Sequence, residues 1–150
     1  MEAKNLVDLD LSWCKTRRDT WRRFFTEFSA NRHIQKLALA GNYLLEKDQK
    51  GEETLDLIFS FIKKNVKLMH LDFTGCFLTA DQIRKLATAC KYTGSLQCFH
   101  LCMNPGLSEE LTAEIRQLIK AGPHEPRTRL PPYVSKSGRK TLKQKDIIES

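Results

Sequence analysis

Four segments of this chain share one skeleton: "LVDLDLSWC" from Leu6, "IQKLALAGN" from Ile34, "LMHLDFTGC" from Leu68 and "LQCFHLCMN" from Leu96, at intervals of 28, 34 and 28 residues. Each has an aliphatic, a Leu or Phe three residues on, a second two later, and a Cys or Asn three beyond that. The alternation at Leu9 and Leu11, Leu37 and Leu39, Leu71 and Phe73, and Phe99 and Leu101 puts these side chains on one face of a strand. About a dozen residues later a helical stripe follows: Trp21, Phe24, Phe25 and Phe28; Leu55, Ile58, Phe59 and Ile62; Ile83, Leu86, Ala87 and Cys90; Leu111, Ile115, Leu118 and Ile119. Neither face can be buried within one unit. A strand and a helix repeated in this order must stack as right-handed parallel βα units.

The form L-x-x-L-x-L-x-x-N/C, met four times in register, resembles the leucine-rich repeat, and the 28-residue spacing is similar to the long, ribonuclease-inhibitor type. The resemblance covers roughly residues 5 to 121. It implies an α/β fold: a short leucine-rich-repeat solenoid, a horseshoe segment of about four βα repeats starting near 6, 34, 68 and 96. A parallel concave sheet faces one side and the helices the convex side. It also implies that the side chain at the N/C position, Cys14, Asn42, Cys76 and Asn104, lies under the turn and satisfies loop backbone groups, so Cys14 and Cys76 are expected as buried structural thiols. Thr79 with Gln82 fits a capping box, Ser108 before two glutamates fits a helix start, and Gly94 and Gly122 sit where helices should stop.

The run Cys98-Phe-His100-Leu-Cys102 invites a metal or redox reading. On a straight strand Cys98 and Cys102 stand ~13 Å apart, too far for a disulfide or for two bonds to one zinc. Cys98 or Cys102 with His100 could share an ion only if a neighbouring strand supplied the rest, such as His70 or Asp72. The spacing matches no known zinc motif, and no metal or cofactor is expected. Cys90 belongs to a helix stripe and reads as core. Phosphate-binding, zinc-hydrolase and nucleophile-elbow signatures are absent from the sequence. His33 falls in a turn and His124 in the tail. His100 opposite Asp72 reads as a cross-strand polar pair without a nucleophile beside it, and no enzyme is expected.

What the repeat offers is a surface. The residues alternating with the core leucines form three rows: Asp8, Lys36, His70, Cys98; Asp10, Ala38, Asp72, His100; Ser12, Ala40, Thr74, Cys102. This is a binding face in the family. Mixed charge along these rows argues against a nucleic-acid groove. At the loop rim Trp13 aligns with Gly41, Gly75 and Met103, with Tyr43 and Phe77 two residues further on, and exposed aromatics there would anchor a partner. The expected partner-binding residues are thus Asp8, Asp10, Lys36, His70, Asp72, Thr74, Cys98, His100, Trp13, Tyr43 and Phe77. The competing reading has the three aromatics filling the loops.

The second unit's six extra residues are placed in "LLEKDQKGEE", Leu44 to Glu53, read as a solvated loop. Composition changes after Gly122. Residues 122–150 carry four of the five prolines and +4 of the +7 net charge, the composition of an extended or disordered tail after a repeat domain of residues 1–121. The longest uncharged apolar run, Leu57 to Ile62, falls far short of the ~20 residues that span a bilayer. No secretory signal is visible and the five cysteines are an odd number, so a cytoplasmic or nuclear setting is expected. The first strand starts five residues after Met1, which leaves no room for a capping unit. That implies an N-terminal portion elsewhere or a partner at that end.

The functional expectation is a non-enzymatic module that binds a protein partner through the concave face and rim. A small-molecule substrate is not expected. The alternative is a basic-tail adaptor for nucleic acid or anionic membrane, with the repeats as scaffold.

Overall fold

A computed structural model describes residues 5–45 and 48–120, so expectations for Gly122, His124 and the tail lie outside the described residues. Strands and helices alternate: β1 (Asp8–Asp10), α1 (Arg18–Phe28), β2 (Lys36–Ala38), α2 (Gln49–Lys64), β3 (His70–Asp72), α3 (Ala80–Cys90), β4 (Cys98–His100) and α4 (Glu109–Lys120). The strands form one parallel sheet in chain order. Its register is that of the repeat: Leu9, Leu37, Leu71 and Phe99 lie in one row, flanked by Asp8, Lys36, His70 and Cys98 and by Asp10, Ala38, Asp72 and His100. Beyond the strands the ladder continues as identical steps, with the amide N–H groups of Trp13, Gly41 and Gly75 donating to the carbonyls of Ala40, Thr74 and Cys102 at 2.8 Å.

The sheet's inner face and the helices enclose the core. Leu37, Leu39, Leu71, Phe73, Phe99 and Leu101 are buried under Trp21, Phe25, Ile58, Ile62, Ile83, Leu86 and Ile115. Leu9 and Leu11, expected as core, are only partly buried, because β1 is an edge strand with a neighbour on one side. In α2 the fully buried aromatic is Phe61, and Phe59 is half-buried. The helix packs between α1 and α3, so it needs a wider apolar arc than one stripe, and Phe61 extends it toward α1, with ring centroids 5.7 Å from Phe25 and 5.4 Å from Phe28.

The insertion is not the solvated loop its composition suggests. Leu44 is buried, Asp48 accepts from the amides of Lys50 and Gly51 as an N-cap, and Gln49–Glu53 form the first turn of a 16-residue helix. A cap worth ~1 kcal/mol and a first turn bearing Glu52 outweigh the low propensity of Gly51, which is buried and has no side chain to accommodate. The Thr79–Gln82 capping box is formed in both directions, the Ser108 hydroxyl accepts from the Leu111 amide at 3.1 Å, and Gly94 takes φ +59° after α3.

Beneath the turns, Asn42 Nδ2 donates to the carbonyls of Leu39 in its own unit and Leu11 in the preceding one, both at 2.9 Å. Asn104 does the same to Leu101 and Phe73, and its Oδ1 accepts from the Leu78 amide. Cys76 makes the weaker thiol version, to the Leu39 carbonyl at 3.2 Å. Cys14, expected in the same role, is exposed instead. This side chain gains its burial by reaching a preceding loop, and the first unit has none among the described residues.

Candidate functional site: the concave face and its rim

Alternation sends every second strand residue away from the core, so the concave face is built from short strands whose spacing is set by the ladder. Asp8, Asp10 and Lys36 are exposed; His70, Asp72, Thr74, Cys98 and His100 are half-buried. Lys36 Nζ reaches Asp8 Oδ2 at 3.4 Å across β1 and β2. Asp10 Oδ1 accepts from the Ser12 amide, and Asp72 Oδ1 from the Thr74 amide, both at 2.8 Å, so each carboxylate closes the turn leaving its strand. The Ser12 bonds hold the Asp10 carboxyl below its usual range. Asp72 stands opposite His100 in the register, but the ring next to His100 is His70, at 4.8 Å between centroids. Burial, and then the neighbouring His100, lower the proton affinity of His70.

On the predicted face, His70, Cys98 and His100 come together as a group of three possible ligands. Their ligating atoms all lie within 4.8 Å of one another. No disulfide joins any of the five cysteines. Cys102, two residues beyond His100, stays outside this group.

At the rim, one backbone conformation recurs. Trp13, Gly41, Gly75 and Met103, the equivalent residues of the four units, all have φ between +56° and +69°. The left-handed conformation suits glycine and strains Trp13 and Met103. It turns the chain sharply out of each strand and leaves the side chain at this position projecting from the edge, with Trp13 62% and Met103 76% exposed. Gly41 lies under the Trp13 indole so closely that a Cβ would overlap the ring. Tyr43 and Phe77 stack face to face, centroids 4.0 Å apart and planes 9° apart, with the Arg18 guanidinium 5.2 Å from the Tyr43 centroid. Both remain about half exposed, so the loop-filling alternative does not describe them. The sequence places Met103 on this rim without counting it as a contact residue. Its equivalence to Trp13 was the available signal.

No protein-family model matches this chain, and no curated protein does. Among solved structures, a tropomodulin C-terminal domain from Caenorhabditis elegans matches with a TM-score of 0.66 at 16% identity, over 79% of this chain and 70% of that one. At such identity the likeness concerns architecture. The chain is a short α/β solenoid of about four strand–helix repeats with a parallel sheet, of leucine-rich-repeat-like fold.

Proposed function

We propose that this chain is a non-catalytic module that binds a protein through the loop rim and the adjoining concave face, in a repeat array of the ribonuclease-inhibitor type. The observation that carries this reading is the rim itself: Trp13, Tyr43, Phe77 and Met103 stand exposed along one edge of a rigid sheet. Aromatic side chains have only two torsions to order when a partner covers them, and aromatics are over-represented among the residues that dominate binding energy. The mixed charges of Asp8, Asp10, Lys36 and Asp72 beside them would set orientation more than affinity. The 28-residue period supports the subtype.

The test is affinity capture with three immobilised proteins: the full chain, a Tyr43→Ser/Phe77→Ser variant, and residues 1–121. The reading expects a protein retained by the full chain and by residues 1–121, and lost by the rim variant, with all three melting cooperatively. Retention that survives the rim changes but disappears with residues 122–150 and with added salt would move the function to the basic tail, as an adaptor for nucleic acid or anionic membrane.

A further inference from the structure

We propose that the concave face carries a binding site for a zinc-class divalent ion, held by His70, Cys98 and His100. Among the described residues this is the one group of three or more His, Cys, Asp or Glu side chains that converges in this way. The convergence follows from the sheet. His70 and Cys98 are direct partners across β3 and β4, and His100 is the next residue on the same face of β4, so three donors stand at the corners of a small triangle fixed by the ladder. Beneath them Leu71, Phe73, Phe99 and Leu101 are essentially inaccessible, which leaves the backbone under the triangle little freedom to move.

The distances are near those of a loaded site. Tetrahedral bonds of about 2.0–2.3 Å to nitrogen and sulfur put neighbouring donors roughly 3.3–3.8 Å apart. The described atoms lie within 4.8 Å, so side-chain rotation through roughly an ångström completes the fit with the strands in place. Two imidazoles and one thiol select an ion of intermediate softness, whereas calcium and magnesium require oxygen ligands. Three protein donors leave a fourth position toward the open side of the sheet, which water fills. On binding, the Cys98 thiol releases its proton to solvent and the thiolate becomes the sulfur ligand. Lys36, opposite His70 in the same row, opposes a cation there, but it is paired with Asp8, and Asp72, opposite His100, acts in the ion's favour. The same row holds Asp8 and Lys36 in the first two units, so the donor set belongs to β3 and β4 and is not a property of the repeat. The proposal does not depend on the protein-binding reading.

Cobalt(II), the spectroscopic substitute for zinc, tests it on the reduced full chain. Titration is expected to give one equivalent of a four-coordinate spectrum with a thiolate-to-cobalt charge-transfer band, displaced by one equivalent of zinc. Cys98→Ser should abolish that band, and His70→Ala or His100→Ala should weaken zinc binding at least tenfold by calorimetry. Cys102→Ser, His33→Ala and His124→Ala should leave both readouts unchanged. Circular dichroism establishes that each variant is folded, and the near-isosteric Cys98→Ser keeps the test decisive if an alanine variant is not. Absence of the band in the wild type, its persistence in Cys98→Ser, or its loss in Cys102→Ser or His124→Ala would overturn the assignment.

Discussion

At the scale of single residues, the cysteines show how one letter takes three roles. Burial pushes the Cys76 thiol up to about 12, and the more deeply buried Cys90 is pushed up further. At pH 8 both are protonated as well as covered. Cys14 stands in solvent, and Cys98 and Cys102 are half-buried on the concave face. Mass-resolved alkylation of the folded chain at pH 8 is therefore expected to modify Cys14 first, Cys98 and Cys102 more slowly, and Cys76 and Cys90 only on unfolding. Rapid labelling of Cys76 would contradict the packing of the turns. Asp10 and Asp72 have a double role, as surface charges and as acceptors that close the strand exits. Asp72→Asn keeps the acceptor and should leave the melting temperature close to wild type, while Asp72→Lys loses it and should cost ~1 kcal/mol by denaturant titration. Equal stability of the two variants would show that the turn bond contributes nothing.

At the scale of elements, the strands were legible because their period of two and the repeat spacing reinforce each other; a slip of one residue would have put Leu71 and Phe73 in water. What the sequence concealed was context. The spacing that buries Cys76 exposes Cys14, because the burial comes from the neighbouring unit. The polar letters of "EKDQKGEE" hide a helix whose cap is Asp48. The triangle of His70, Cys98 and His100 needed two strands to be paired before the ring directions could be seen, although the residues themselves were visible. Two measurements follow from this dependence on neighbours. Leu71→Ala, in an interior strand and fully buried, should cost ~2–5 kcal/mol, and Leu9→Ala, in the half-covered edge strand, clearly less. Gly106→Ala should also be costly, ~3 kcal/mol, although it adds only one methyl group, because the new Cβ would lie 2.2 Å from the backbone at Thr79 and Ala80, where α3 begins. Urea titration of the three variants orders them; a near-neutral Gly106→Ala would mean that the loop can move away from α3.

At the scale of the whole molecule, packing follows the chain: α1 on α2, α2 on α3, α3 on α4, and each strand beside the next. Ion pairs follow the same order on the convex side, Arg22–Glu53, Lys85–Asp56 and Arg84–Glu114. All are partly exposed, and pairs of that kind contribute ~0–1 kcal/mol, so the aromatic and aliphatic seams between helices dominate. An array bound by neighbours opens from its ends. Native-state hydrogen exchange is accordingly expected to be slowest in β2, β3, α2 and α3 and faster in β1 and α4. Uniform protection across all eight elements would instead indicate a single cooperative block.

The recurrent left-handed residue at each strand exit has a consequence for how such a surface changes. Because Trp13, Gly41, Gly75 and Met103 share one backbone geometry, the fold specifies the position and leaves the occupant open. The edge works as a row of sockets, two filled and two blank, and neighbouring sockets trade off: the Trp13 indole rests where a side chain on Gly41 would stand. Gly75 is different, since a Cβ there meets only ordinary contacts at 3.9–4.0 Å, so filling that socket costs backbone strain without collision. New recognition can therefore be written into this molecule one unit at a time, with the solenoid beneath left unaltered.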